Sequence, residues 1–195
     1  NTAAFVYVYK ALNAPKEYIG FVILGGVMTA YWMNVLWSMA SQFYWEKEMG
    51  NLELYLIAPI SRMSILLGMA IGGIFYATLR ALVVFIVGSL LFQVNFLVTG
   101  VWQLFLIFIL TMIALYGLGM LFASLFMLWG REAWHTSNLF QEPIYLLGGF
   151  YFPVKTLGYT LATIASAIPI SLGLDGMRQL AFKTTKTLGF LDVKI

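Results

Sequence analysis

Few residues in this sequence could carry out acid–base, nucleophilic or metal chemistry. The chain has eight acidic residues, one histidine and no cysteine, which excludes disulfides and thiolate metal sites. Glu46, Glu48 and Glu53 lie close together in the sequence and could form a metal or acid–base cluster, but a solvated loop that meets basic residues of a partner is favoured. His135 has no partner at ligand spacing, which indicates an interfacial polar residue rather than a metal ligand. No nucleophile–base pair can be picked out, so we predict neither a catalytic site nor a metal site.

A second group of polar residues lies inside apolar runs. Arg80 follows Arg62 by about 27 Å of helix rise, and an intramembrane charge is costly unless it is paired or reaches the interface. Arg80 is therefore either a functional residue or a side chain that extends outward to the interface from a long tilted helix. Glu142, beside Gln141 and the helix-kinking Pro143, could pair with Arg80 or line a path, and a structural contact between helices is an equal alternative.

The composition sets the class of protein that positions these residues. The chain is 62% hydrophobic and 10% charged, whereas soluble domains carry about 25% charged residues. The net charge of +3 gives no case for nucleic acid binding. We therefore predict an all-α, polytopic integral membrane protein that forms a single transmembrane domain over residues 1–195. Four runs reach the roughly 20 residues of a membrane helix, at about 18–43, 65–92, 102–129 and 134–151.

A fifth apolar run, 157–174, is interrupted by Pro169 and bracketed by Pro153 and Asp175. This pattern predicts a broken, re-entrant or interfacial element within about 153–178 rather than a clean span. Small residues in the second and third spans are spaced for close helix contact, although glycine is also common in membrane helices without such contact. These residues are Gly68, Gly72, Gly73, Gly117, Gly119 and Ala123.

The segment between the first two spans is short and charged, and it ends in a proline. Residues 51–58 can form about two helical turns, with Asn51 as a plausible cap and Glu53 in the first turn, where the helix dipole favours a carboxylate. Pro59 ends this helix, and Ser61 can cap the next one. So many leucine and isoleucine side chains predict either a partner's groove or the lipid headgroups as the surface that this helix contacts.

This segment, WEKEMGNLELYLIAPISRMSILLG, resembles the ABC type-2 transporter permease family. In that family an acidic pair precedes Gly-Thr-Leu-Glu, and a Pro-x-Ser-Arg turn leads into the next span. The matching residues are Glu46, Glu48, Gly50, Leu52, Glu53, Pro59, Ser61 and Arg62, with Asn51 where threonine is usual. Later matches follow in family order: Arg80; Gly117, Gly119, Ala123 and Ser124; GGFYFPV at 148–154; and IPISLGLDGMR at 168–178. The resemblance covers about 40–178.

The resemblance implies that 51–58 is a cytoplasmic coupling helix that docks on a nucleotide-binding ATPase subunit. The residues expected at or around that contact are Glu46, Glu48, Gly50, Leu52, Glu53, Leu54, Leu56, Pro59 and Arg62; Arg80, Gln141 and Glu142 are the intramembrane candidates. The resemblance also implies a second permease copy on the other side of the translocation path. It implies one further span at each end as well, so that this chain would be a segment of a longer one. The sequence contains no P-loop, so ATP and Mg²⁺ would bind to the partner, and the chain itself would not be an enzyme.

The expected function is therefore the permease subunit of an exporter of drugs, lipids or polysaccharides. It would lie in contact with lipid in the plasma or inner membrane of a prokaryote. A channel or a scaffold protein without an ATPase partner is the alternative, and a membrane enzyme is a weaker one. Lysine and arginine are distributed against the implied orientation unless 157–174 crosses the membrane completely, so the charges leave the orientation open.

Overall fold

The apolar runs form helices because a chain in lipid must satisfy its backbone polar groups internally. The computed structural model describes residues 2–13, 16–94, 100–129 and 133–182, and all regular structure in these residues is helical. The α-helices are α1 (Thr2–Ala11), α2 (Lys16–Asn34), α3 (Ala40–Glu48), α4 (Leu52–Ile57), α5 (Arg62–Phe92), α6 (Val101–Trp129), α7 (Ala133–Leu147), α8 (Tyr159–Ser166) and α9 (Pro169–Phe182). A π-helical turn, Val35–Met39, joins α2 to α3, and a 3₁₀ turn, Val154–Leu157, precedes α8.

Three helices of the described residues are long and apolar enough to cross a membrane. They are Tyr18–Glu48, Arg62–Phe92 and Val101–Phe126, which we call the first, second and third spans and which correspond to the first three predicted runs. The all-α, polytopic membrane fold is thereby confirmed. The first span runs through the π-helical turn, where the Ala40 N–H donates to the Val35 carbonyl.

The fourth predicted run differs from the prediction in length. Its helix, α7, has 15 residues and ends at Leu147, about 22 Å of rise. The chain then turns through Gly148 and Gly149. Gly149 has a φ of +63°, in the left-handed region. Residues 148–152 follow as a non-helical segment, largely buried.

The fifth run is broken at Pro169, as the sequence predicts. Helices α8 and α9 meet there at an angle of 99°. The bend makes this pair either a broken span or a re-entrant element, and the re-entrant interpretation stays a prediction.

The first span lies at the centre of the molecule. Its most apolar stretch is 72% buried, whereas that of the second span is 11% buried. The second span and α9 both pack against α2, and α6 packs against α3 and α9. A span that is mostly buried can pass a displacement to the helices packed against it, because packed interiors have little free volume.

Candidate functional site

The turn between α3 and α4 fixes where the short helix leaves the first span. The Asn51 N–H donates to the Glu46 carbonyl at 2.9 Å, and the Gly50 N–H donates to the Lys47 carbonyl at 3.1 Å. This pair of bonds is a Schellman motif, which requires a left-handed residue after the helix. Gly50 is that residue, with a φ of +76°. The predicted importance of Gly50 thus has a local cause in the backbone.

We expect Gly50→Ala to destabilise the protein by about 1 kcal/mol, because an L side chain is strained in the left-handed region. A Cβ at Gly50 would meet no atom within 4 Å, so the effect is purely conformational. Gly68→Ala is the matched control, since Gly68 lies in α5 with equally open space around it and alanine favours a helix by about 1 kcal/mol. Thermal unfolding in detergent should shift in opposite directions for the two variants, and equal shifts would contradict this assignment.

Glu46 connects the end of the first span to α4 through its side chain. Its carboxylate accepts hydrogen bonds from Gln42 Nε2 at 3.0 Å and from Asn51 Nδ2 at 3.1 Å. The expectation of a solvated carboxylate is wrong here, because Glu46 is only 8% exposed. The predicted cap is wrong as well: Asn51 makes no side-chain capping bond, since its amide is turned back toward Glu46. Glu48 and Glu53 are exposed, as expected of a solvated loop.

Helix α4 and the residues around it present exposed apolar side chains at one end of the molecule. Leu54 is 67% exposed and Ile57 is 80% exposed. The set, which we call the apolar end surface, consists of Trp45, Met49, Leu54, Ile57, Ile60 and Met63. Leu52 and Leu56 belong to α4, but their side chains lie outside the described residues. Exposed apolar groups flanked by charges are typical of an interaction surface.

The exit from α4 follows the sequence pattern. Ala58 is extended, with φ −60° and ψ 138°, because a residue before proline avoids the helical region. Ser61 then caps α5, and its Oγ accepts from the Ser64 N–H at 3.1 Å; this predicted cap is confirmed. Pro59 and Arg62 are both exposed. The α4 segment is thus bounded by a glycine turn on one side and a capped proline turn on the other.

The structure brings two of the three intramembrane candidates together, Gln141 and Glu142, and leaves Arg80 apart from them. The Arg80 guanidinium lies 5.8 Å from the centroid of the Tyr76 ring, and its side chain is exposed on α5. Gln141 accepts a hydrogen bond from Trp37 Nε1 at 2.7 Å and donates to Glu142 at 3.3 Å. Within the described residues Arg80 and Glu142 are therefore not paired, and the contact to another helix that was the alternative for Glu142 is made by its neighbour Gln141.

The His135 side chain and all of Arg131 lie outside the described residues. Within them, no three potential metal ligands come together.

A buried polar contact inside the membrane helices was not predicted. The Tyr116 hydroxyl of α6 donates to Asn34 Oδ1 at 3.0 Å, next to the π-helical turn. A Cβ at Gly73 of α5 would come within 2.6 Å of the same oxygen, so this glycine permits the close approach of α5. Gly68, Gly72 and Gly117 face open space. The close-contact interpretation of these glycines therefore holds for Gly73 and not for those three.

We expect Tyr116→Phe to destabilise the protein by about 1 kcal/mol, since interhelical hydrogen bonds in membranes are worth about 0.6 to 2 kcal/mol. The phenyl ring keeps the packing and removes only the donor to Asn34. Tyr76→Phe, on the exposed face of α5, is the control and should leave the unfolding temperature unchanged. A loss of equal size in both variants would show that the Asn34 contact contributes nothing.

Arg178 forms a second unpredicted arrangement, at the end of the first span opposite to α4. The side chain is 2% exposed and donates to three backbone carbonyls: Gly149 at 2.7 Å, Phe150 at 2.8 Å and Phe21 at 3.0 Å. Its guanidinium carbon lies 3.2 Å from the centroid of the Phe21 ring. Asp175, one turn earlier in α9, is also buried and accepts from Gln179 at 2.8 Å.

Helix α1 holds the same non-helical segment from another side. The Tyr9 hydroxyl donates to the Tyr151 carbonyl at 2.9 Å, and the ring of Phe5 stacks on that of Tyr151 at 4.3 Å. Burial, together with the neighbouring Tyr18, raises the pKa of Tyr9, so the hydroxyl remains a donor at neutral pH. Residues 148–152 are therefore fixed by α1, α9 and the first span together.

The sequence contained a signal for Arg178 that the site prediction did not use. Arg178 ends the motif 168–178, where a lone Asp and Arg lie three residues apart in an otherwise uncharged run. That spacing places both on one helix face. No comparable signal marked its acceptors, because backbone carbonyls are not visible in a sequence.

Most of the chain matches known proteins in sequence. The model of the ABC-2 type transporter family matches residues 2–182. The chain is 26% identical over 172 residues to the "Probable multidrug ABC transporter permease YbhR" of Escherichia coli strain K12 and, equally, to that of strain O157:H7. The match covers 88% of this chain and 46% of each relative, so the chain spans about half the length of the curated relatives it matches. Solved structures give no significant match.

Proposed function

Because the chain belongs to the ABC-2 type transporter family, we propose that it is part of the permease subunit of an ATP-driven exporter. ATP and Mg²⁺ would bind to a separate nucleotide-binding subunit or to another part of the protein, as the sequence holds no P-loop. The chain would transmit that subunit's motion and would carry out no chemistry itself.

The observation that carries this proposal is the geometry around α4. The helix projects from one end of the spans with Leu54 and Ile57 exposed, and the Glu46–Asn51 hydrogen bond ties it to the first span. A docked subunit that displaces such an anchored helix would also displace the first span, because the hydrogen bond joins the two. Glu48, Glu53 and Arg62 would then form a charged rim that sets orientation and association rate more than affinity.

We further propose that two copies of the permease assemble and that lipid covers the remaining apolar surface. The low burial of the second span supports this, since so much apolar helix surface requires either lipid or another helix as its neighbour. The substrate would belong to the drug, lipid or polysaccharide class, of which the relatives' name favours drugs. The E. coli relatives support a location in a bacterial plasma or inner membrane.

The test is reconstitution of the full-length permease with the ATPase that co-purifies with it. We expect vesicles holding both proteins to move a fluorescent cationic dye or a labelled phospholipid only when ATP is hydrolysed. Purification without any ATPase, together with ion conductance in the absence of ATP, would favour a channel instead. Purification without an ATPase and without transport would favour a scaffold protein.

A further inference from the structure

The first span carries two anchored structures, one at each end. At one end Glu46 accepts from Asn51 and so holds α4. At the other end the Phe21 carbonyl accepts from Arg178 and so holds α9. Phe21 and Glu46 are separated by about 37 Å of helix rise along one continuous helix. A displacement of α4 therefore has a direct structural route to α9.

The contact at the Arg178 end is close as well as polar. A Cβ at Gly25 would overlap the carbonyl oxygen of Phe150, so the backbone of the first span and that of residues 148–152 touch without any side chain between them. Arg178 Nη2 bonds to both Phe21 and Phe150, whereas Nη1 bonds to Gly149. One guanidinium thus joins α9, the non-helical segment and the first span.

The π-helical turn in the middle of the first span does not break this route. Val35 and Leu36 are fully buried, and Trp37 donates to Gln141 of α7. Neighbouring helices therefore hold the turn on several sides, and close packing leaves it little room to bend independently.

We propose that Arg178 is a positioning residue that makes α8 and α9 move with the first span when α4 is displaced. The inference rests on the proposed function, because an ATPase subunit must displace α4. Arginine suits this role because its rigid, planar guanidinium holds three carbonyls at once: Nη2 donates to both the first span and the non-helical segment, and Nη1 donates to a second carbonyl of that segment. Lysine keeps the charge and one donor nitrogen, but it lacks the second nitrogen and the planar group that lies on the Phe21 ring.

The experiment uses the full-length permease in complex with its ATPase subunit. Residues 1–195 contain no cysteine, so once any cysteines elsewhere in the complex are replaced, single cysteines labelled with bimane report each end separately. Lys47→Cys reports the α4 end of the first span, and Tyr159→Cys reports the start of α8; both native side chains are exposed. The fluorescence change between the nucleotide-free complex and the complex trapped with ATP and vanadate is measured for each reporter.

We expect both reporters to respond in the otherwise unchanged protein. In Arg178→Met the Lys47 response should persist and the Tyr159 response should fall at least about fivefold, the lower end of typical coupling between sites. Arg178→Lys, which keeps the charge and one donor nitrogen, should give a Tyr159 response between those of the parent and Arg178→Met. Lys10→Met, which removes an exposed cation of α1, is the control and should leave both responses in place.

Several outcomes would overturn the inference, and they differ from failure of the proposed function. A response at Lys47 without one at Tyr159 in the unsubstituted protein would overturn the inference alone, and this measurement does not depend on any Arg178 variant folding. A full Tyr159 response in Arg178→Met would do the same. No nucleotide response at either position would overturn the proposed function and the inference with it.

Discussion

Replacing both Leu54 and Ile57 by aspartate should weaken association with the proposed ATPase subunit about 100-fold or more. Both side chains are largely exposed on α4 and would enter a partner's groove. Central interface residues each contribute about 2 kcal/mol when truncated, and a buried, unpaired carboxylate adds a desolvation cost. The measurement is the ratio of ATPase to permease after co-purification, together with the rate of ATP-dependent transport in vesicles.

The same substitutions should leave the fold unchanged, because neither side chain supports the core. The unfolding temperature should match that of the parent, which separates lost docking from lost structure. Leu12→Asp is the control: Leu12 is similarly exposed, at 70%, but follows α1 far from α4 in the sequence. If the double variant retains the ATPase at the parent ratio, the docking surface lies elsewhere.

The largest loss of stability should come from Gly25→Ala. The added Cβ would overlap the Phe150 carbonyl and approach Arg178 Nη2 to 3.0 Å. Because backbone cannot move aside as a side chain can, the cost should be about 3 kcal/mol, the upper part of the usual range for overpacking. For a domain of this size that lowers the unfolding temperature by about 6–12 °C.

Gly72→Ala isolates the steric contribution. Gly72 lies in α5, where an added Cβ would meet no atom within 4 Å, so the variant should gain about 1 kcal/mol from helix propensity alone. Hydrogen exchange should also show faster exchange of residues 148–152 in Gly25→Ala and not in Gly72→Ala. Similar unfolding temperatures for the two variants would mean that the first span and this segment do not touch as described.

Both predictions concern the first span, which carries α4 at one end and contacts α9 at the other. The second and third spans present more of their surface to the surroundings. The three spans are therefore not equivalent: the first is central and mostly buried, and the second and third lie around it. In such an arrangement, variants of the first span should affect transport and stability together, whereas variants on the outer face of α5 should affect association with lipid or another chain.

The local sequence pattern was sufficient to predict much of the backbone structure around α4. Pro59 predicted the end of the short helix and Ser61 the start of the next, because proline restricts its predecessor and a serine oxygen satisfies free N–H groups. The same local reasoning misassigned Asn51. A side chain directly before a helix can accept from the first turn of that helix or turn back to the preceding one, and here the Asn51 amide donates to the Glu46 carboxylate of α3 instead of capping α4.

The intramembrane residues show where sequence reasoning stopped. Gln141 was singled out, but its partner Trp37 lies 104 residues earlier. Asn34 and Tyr116 are separated by 82 residues, and Arg178 and Phe21 by 157. Helix periodicity identifies which residues share a face of one helix. It does not reveal which face of another helix lies opposite.

The sequence alone determined that this chain is an all-α membrane protein with a short helix between two spans, because hydrophobic length and turn residues act over a few neighbouring positions. Its motifs also pointed to the family. Only the tertiary structure decided that Glu46 is buried, that Arg80 and Glu142 do not pair, and that Arg178 joins three backbone segments. Those outcomes depend on which distant surfaces meet when helices pack, and the free energy of that packing is shared among many residues rather than encoded in any one motif.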